Sequence, residues 1–301
     1  MAIALQKLHS LFVAEVTSPV ELRNVVDEET LSQIRAGMDE FAVLVFHNQP
    51  FTDDEQLAFA ERLDGKLNRV RVLANNRLGN DALIDISNVD ESGEVMDTYN
   101  RRRMYNLGNR LWHTDASFNE PRGRYSMLHA RVVPPVSADT EFADLRSAYD
   151  TLPDGTKIQI EDLKAHHSVM HSRKTLGFED FSPAEAARLD GAVHALVHTI
   201  PGSGRKSLYI ASHASHVIDW PVPDGRLLLL ELRDHAIQER FRYAHSWVVG
   251  DLVIWDNRAT MHRGLPYEDT KYRREMRRVT TLDVPRPVAL ASEAIAIEAV
   301  R

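Results

Sequence analysis

Cysteine is absent from the 301-residue chain. That absence excludes disulfides, thiolate metal sites, iron–sulfur clusters and a cysteine nucleophile together, and it leaves any metal to nitrogen and oxygen ligands. It is also compatible with a reducing compartment. Long apolar runs are lacking: no stretch approaches the roughly 18 residues of a membrane span, and Met1-Ala-Ile-Ala-Leu-Gln-Lys-Leu-His9 has no secretory core. The expectation is a cytoplasmic protein with no membrane partner. Positive charge is in deficit, with 36 Lys and Arg against 44 Asp and Glu and a formal net charge of -8. A general nucleic-acid surface, which needs clustered cations to displace counterions from phosphates, is therefore not expected.

What is present is ordinary globular composition, 43% hydrophobic and 27% charged, without an internal repeat or low-complexity linker. The length suits one large domain spanning residues 1–301. Asp27 caps a helix with Leu31, Ile34 and Met38 at helical spacing, and Ala42 to Phe46 reads as a buried strand. Thr52 with Asp53, Asp54 and Glu55 starts a second helix that ends near Gly65. From 66 to 110 the periodicity weakens around one strand at Ala82 to Ser87; an irregular region this long inside a compact domain points to an active-site lid.

Strand character returns at Tyr125 to Val132 and Thr140 to Phe142, and a helical insert follows over 145–190. Val193 to Thr199 and Ser207 to Ala211 read as a hairpin around the Gly202-containing turn. A helix from Gly225 to Glu239 carries Leu227 to Leu230 as a buried run. Phe241 to Trp247, Leu252 to Trp255 and Arg274 to Leu282 close the chain as strands. Many short strands with helices between them predict an α+β fold with a mainly antiparallel β core rather than βαβ units.

Three elements carry chemistry. His113-Thr-Asp115 places an imidazole and a carboxylate two residues apart, which on a strand share one face. With 14 histidines, about one such tripeptide arises by chance, so taken alone it also reads as a surface pair or cap. His262 follows a strand and a polar turn, and alone it is equally an ordinary polar residue. Two histidines and one carboxylate on one octahedral face leave room for a bidentate co-substrate and oxygen, the arrangement of non-haem iron(II) oxygenases. In Arg273-Arg-Glu-Met-Arg-Arg278, period two puts Arg274, Met276 and Arg278 on one face. Two inward guanidiniums are costly unless anions meet them; the alternative is a solvated basic strand in which Glu275 pairs with a neighbour.

With these elements the chain resembles the taurine dioxygenase superfamily, and within it the 2,4-dichlorophenoxyacetate/2-oxoglutarate dioxygenase group. The resemblance is carried by Leu111-Trp-His-Thr-Asp-Ala-Ser-Phe118, Arg124-Tyr-Ser-Met-Leu128, Val132-Val-Pro-Pro135, Asp139-Thr-Glu-Phe142, Ala148-Tyr-Asp150, Gly202-Ser-Gly-Arg-Lys206, His213-Ala-Ser-His216, Trp255-Asp-Asn257 and the arginine strand. It implies a double-stranded β-helix, or jelly-roll, with flanking helices. It implies Fe(II) on His113, Asp115 and His262, with 2-oxoglutarate as co-substrate and O2 as oxidant. It assigns Thr140 and Arg274 to the distal carboxylate of 2-oxoglutarate, and Arg278 and Asn88 to the substrate, with Arg69, Arg71 and Arg101 to Arg103 as further lid cations.

The implied reaction is ether cleavage of an aryloxyacetate such as 2,4-dichlorophenoxyacetate to a phenol and glyoxylate, by a homo-oligomer, in herbicide catabolism. The alternatives are a sibling dioxygenase acting on taurine, an alkyl sulfate or a natural aromatic acid, and a metal-dependent protein that binds a small acid without oxidising it. Two departures from the group's pattern stand out: His198-Thr-Ile200 where relatives often show Arg-Thr-His, and one extra residue between His262 and Arg274.

Overall fold

The computed structural model describes residues 3–69 and 77–286; Arg71, named above among the lid cations, lies outside them. The helix Glu28–Phe41 forms where expected because Asp27 accepts a hydrogen bond from the Thr30 amide, while Leu31, Ile34 and Met38 fall on one face. The next helix, Asp53–Asp64, opens on a full capping box between Thr52 and Glu55 and stops at Gly65. Both helices lie on the outer face of a seven-stranded sheet. Its order is Leu5–Lys7, Ala14–Val16, Val43–Phe46, Leu252–Asp256, Gly123–Val132, Glu275–Leu282, Leu83–Ser87. All neighbours pair antiparallel except Ala14–Val16 with Val43–Phe46.

The central strands are buried on both faces, and alternation divides their side chains between two cores. Leu44, Phe46, Tyr125, Met127, Leu252 and Ile254 pack outward against Leu31, Ile34, Phe59 and Leu63 of the helices. Val43, Val45, Leu128, Val253, Trp255 and Met276 pack inward, with Phe142. Each fully buried side chain of this size stabilises the fold by about 1.5–3 kcal/mol.

Phe142 belongs to a second antiparallel sheet, Arg242–His245, Thr140–Asp144, Thr260–Gly264. Its next residue Ala143, with Met261, turns to a third core built on Leu145, Ala148, Leu196, Leu208, Leu228 and Leu232. The inner cluster thus lies between two sheets, with helices covering the outer face of each. No helix among the described residues is long and apolar enough to cross a membrane.

Several local expectations change. Within 145–190 the chain forms the helices Leu145–Asp150, Asp154–Ile160, Val169–Lys174 and Pro183–Ala186, but also a strand, Lys164–His167. This strand pairs with Ala192–Ala195 and Ala214–Val217 in a third sheet. Its sequence, Lys-Ala-His-His, lacks the apolar alternation that would mark it. The 66–110 region contains a helix, Arg101–Asn106, whose N-terminus is capped by Asn100. The hairpin forms, with Val197–Thr199 against Lys206–Leu208. In the helix Val222–Ala236 only Leu228 and Leu229 of the leucine run are buried; Leu227 and Leu230 are 58% and 44% exposed, as four consecutive helical residues cannot share one face.

Candidate metal centre and its cavity

His262 lies on the strand Thr260–Gly264 rather than beside a turn, opposite Phe142, and therefore faces inward while Met261 faces out. His113 is not within a continuous strand; it forms a single bridge to His262. The two residues exchange both backbone hydrogen bonds, at 3.0 and 2.8 Å, which sets their rings 4.2 Å apart between centroids. Asp115 has left strand geometry altogether. The chain turns sharply after it, with Ala116 in the left-handed region at φ 55°. The strand argument for a shared face therefore fails at Asp115, but the turn delivers its carboxylate to the same point. Gly123 makes room for that turn: a Cβ there would stand 2.8 Å from the Asp115 carbonyl oxygen.

Asp115 Oδ1 lies 3.9 Å from His113 Nε2, and Oδ2 lies 3.6 Å from His262 Nε2. One donor atom from each residue falls within 4.8 Å of the others, the one such cluster among the described residues that could hold a metal ion. The donor chemistry suits iron(II). His113 Nδ1 must donate to the Leu111 carbonyl, 2.7 Å away, so the proton sits there and Nε2 keeps its lone pair. Burial drives the His113 pKa down to about 4 and that of His262 well below the ordinary value, so both imidazoles are neutral. Burial alone would raise the Asp115 pKa, but the Arg278 guanidinium, with the Ser126 hydrogen bond, outweighs it and holds it below the usual range.

A cavity of about 120 Å³ opens directly on the two histidines. Thr140, Arg274, Arg278 and Asn88 all line it. Arg278 Nη1 donates to Asp115 Oδ1 at 2.5 Å, so its charge is met by a metal-site carboxylate. Arg274 differs. No hydrogen bond or ion pair reaches its guanidinium among the described residues; Tyr267 and Asp139 are its only opposing influences, and burial lowers its pKa. Thr140 accepts from the indole N–H of Trp247 at 3.0 Å, which leaves its own hydroxyl proton for another acceptor.

Asn88 stands in the wall with its amide engaged. It donates to the Asp269 and Tyr272 carbonyls, at 2.6 and 2.7 Å, and accepts from the Arg274 amide at 2.7 Å. Of the described lid cations only Arg103 borders the cavity, bound to Asp269. Arg101 pairs with Asp180 and Glu185, Arg102 with Asp85, and Arg69 with Glu61 at the surface.

Sequence reasoning missed Arg110, Tyr267, Asn109 and Asp269 in the wall, and the buried residues behind the ligands. Asn257 accepts from the Asp115 amide at 2.9 Å, and Ser126 donates to Asp115 Oδ2 at 2.7 Å. His213 packs edge-on to His113, its ring 6.0 Å away. Asn257 and His213 sit in segments quoted above for the resemblance, but no spacing rule gave them a role.

The pattern described as "Taurine catabolism dioxygenase TauD, TfdA family" matches residues 4–280. The chain belongs to this family. Over 286 residues it is 46% identical to the alpha-ketoglutarate-dependent 2,4-dichlorophenoxyacetate dioxygenase of Cupriavidus pinatubonensis, covering 94% of this chain and 99% of that one. It is 33% identical to the (S)-phenoxypropionate/alpha-ketoglutarate-dioxygenase of Sphingobium herbicidovorans, over 88% of this chain and 90% of the relative. Among solved structures, that of AAD-2 in complex with Mn(II) and N-oxalylglycine superposes with a TM-score of 0.90 at 42% identity, covering 96% of this chain and 100% of the other.

Proposed function

We propose that this chain is an Fe(II)- and 2-oxoglutarate-dependent dioxygenase that cleaves an aryloxyacetate such as 2,4-dichlorophenoxyacetate to a phenol and glyoxylate, with succinate and CO2 as co-products. The observation that carries the reading is a cluster of two neutral imidazoles and one carboxylate that shares its cavity with Arg274, a half-buried cation met by no hydrogen-bonded anion among the described residues. His113, Asp115 and His262 hold the iron. Iron with 2-oxoglutarate and O2 supplies the oxidising power, one oxygen atom entering succinate and the other the substrate.

The protein's residues orient the reactants and exclude water. Arg274 and the free Thr140 hydroxyl grip the distal carboxylate of 2-oxoglutarate. Arg278, next to the metal ligands, steadies the substrate carboxylate, so that the carbon between ether oxygen and carboxylate is the one oxidised. The resulting hemiacetal breaks to phenol and glyoxylate. Asn88 shapes the wall by tying it to residues 269–274. The relatives from Cupriavidus and Sphingobium, named for aryloxyalkanoate substrates, support this substrate class. The two packed sheets form a jelly-roll in a single dioxygenase domain, which works in the cytoplasm as a homo-oligomer in herbicide catabolism.

The test is coupled turnover. Anaerobic Fe(II) with 2-oxoglutarate should give the weak visible band of the chelate, and O2 with 2,4-dichlorophenoxyacetate should give succinate and phenol in equal amounts. A bound metal without succinate would make the protein a small-acid binder. Better-coupled turnover on taurine, alkyl sulfates or aromatic acids would move the substrate assignment to them.

A further inference from the structure

Behind the metal cluster the hydrogen bonds have a direction that the donors and acceptors fix. The Asn257 side chain makes four bonds. Asp115 N–H and Trp255 Nε1–H approach one end, at 2.9 and 3.1 Å, and the Arg124 carbonyl and Ser126 Oγ lie at the other, at 3.2 and 3.0 Å. A backbone amide and an indole can only donate, so the end they meet is Oδ1; the amide cannot be reversed. Nδ2 therefore donates to Ser126 Oγ. The ionised Asp115 carboxylate can only accept, so the Ser126 hydroxyl directs its own proton to Asp115 Oδ2, 2.7 Å away. Thr280 Oγ1, 2.9 Å from Ser126, completes the hydroxyl's surroundings but does not set its direction.

All four polar residues, Asp115, Ser126, Asn257 and Thr280, are at most 3% exposed, so water does not substitute for a missing partner. Asn257 moreover holds both ends of the Asp115 problem, its backbone directly and its carboxylate through Ser126. Arg278 takes the other oxygen. The carboxylate is thereby held at both oxygens before any ligand arrives.

We infer that Ser126 and Asn257 are positioning residues for the metal centre: a one-way relay from Asn257 through the Ser126 hydroxyl orients the Asp115 carboxylate for metal binding. The inference rests on Asp115 being a metal ligand. Partners that orient ligating carboxylates typically govern metal affinity by about 10–100-fold, so the relay makes a quantitative demand on a residue that never touches the metal.

The experiment titrates Mn(II) alone into metal-free protein, reads free Mn(II) by electron paramagnetic resonance, and follows the thermal transition of each metal-free variant in parallel. Ser126→Ala should weaken Mn(II) binding by about 10–100-fold, and Ser126→Cys, which keeps the volume with a poor donor, should do so too. Should the alanine variant not fold, the cysteine variant carries the comparison. Ser126→Thr, which keeps the hydroxyl, should restore affinity. Thr280→Val deletes a buried hydroxyl that bonds Ser126 but leaves the Asn257–Ser126 and Ser126–Asp115 hydrogen bonds in place, and should bind Mn(II) within about threefold of the parent. Equal losses for Ser126→Ala and Thr280→Val would mean general loosening and overturn the relay, as would parental affinity in both Ser126→Ala and Ser126→Cys. Asp115→Ala separates the two levels: if it binds Mn(II) normally, the ligand assignment itself falls; if it fails to bind while the Ser126 variants bind normally, only the relay falls.

Discussion

Beneath the cavity, His113, Asp115 and His262 are tied by hydrogen bonds among buried groups: the mutual backbone pair, the Ser126 hydroxyl and the Asn257 amide. Above it, the 88–110 and 265–274 segments meet through Asn88 and through Asp269, which pairs with Arg103 at 3.0 Å and with Arg110 at 3.4 Å. The floor brings together residues from distant parts of the chain, each at most 5% exposed. The roof consists of short segments; its Arg103–Asp269 pair is mostly buried, whereas the Arg110 side chain reaches solvent and is 35% exposed. Buried hydrogen bonds keep one geometry, whereas an ion pair with one partner at the surface, such as Arg110 with Asp269, is weaker and sensitive to salt. The floor is therefore suited to unchanging chemistry and the roof to admitting different ligands.

The contrast breaks most severely in the floor. His113→Ala, Asp115→Ala and His262→Ala should each abolish substrate-dependent succinate release, a loss beyond the roughly 100-fold expected when only an outer partner is removed; unimpaired turnover in any of the three would remove that residue from the centre. Next come the two arginines between floor and roof. Arg274→Ala leaves a ligand carboxylate without its charged partner, a loss of at least about 2 kcal/mol, so the KM for 2-oxoglutarate should rise on the order of 30-fold or more with a smaller change for the aryloxyacetate. Arg278→Ala should show the reverse preference. Steady-state kinetics varying each ligand in turn checks this, and equal effects of both changes on both ligands would undo the division.

Acid sharpens the comparison without mutation. Folding depresses the pKa of His113 and of His129 to about 4 and that of His198 to about 3, in each case first through burial. Below the ordinary value near 6.5 the unfolded chain takes up protons that the folded chain refuses, so stability is full above about pH 6.5 and declines as pH falls toward 4, by up to about 1.4 kcal/mol per pH unit for each group. The melting temperature of metal-free protein should drop steeply between pH 6.5 and 4.5; a flat profile would contradict the buried neutral imidazoles. Smallest is the roof. Arg110→Gln, which removes the solvent-reaching partner of Asp269, should change the substrate KM only about two- to fivefold, in keeping with up to about 1 kcal/mol for partly exposed pairs, and moderate salt should reduce the difference. A loss as large as that of Arg274→Ala would show the roof to be as rigid as the floor.

The same division explains what could be read in the sequence. Asp27 and the Thr52–Glu55 capping box signalled two helices because the signals are local. The strand Leu252–Asp256 was legible from its apolar run. The strands Lys164–His167 and Ala214–Val217 were not, because their histidines and serines show no apolar alternation and tertiary pairing decides their state. At the site, residue types and family resemblance singled out His113, Asp115 and His262, and the cost of two inward guanidiniums drew attention to Arg274 and Arg278. The Asn257–Ser126 contact spans 131 positions and that of Arg278 with Asp115 spans 163; no periodicity in one sequence reports such pairings. Asn88 was expected, from the resemblance alone, to contact the substrate; that its amide is consumed by the backbone of residues 269–274 was not legible.

The alternation of the central strands has a practical corollary for anyone wishing to redirect the enzyme. Ile86, Leu128 and Trp255 project toward the reaction chamber, while their immediate chain neighbours Met127 and Ile254 anchor the helices on the far side. A mutant library restricted to the inward set would sample new ligand shapes while leaving the load on the outer helices unchanged. One inserted or deleted residue in those strands would exchange the two sets and sacrifice both at once.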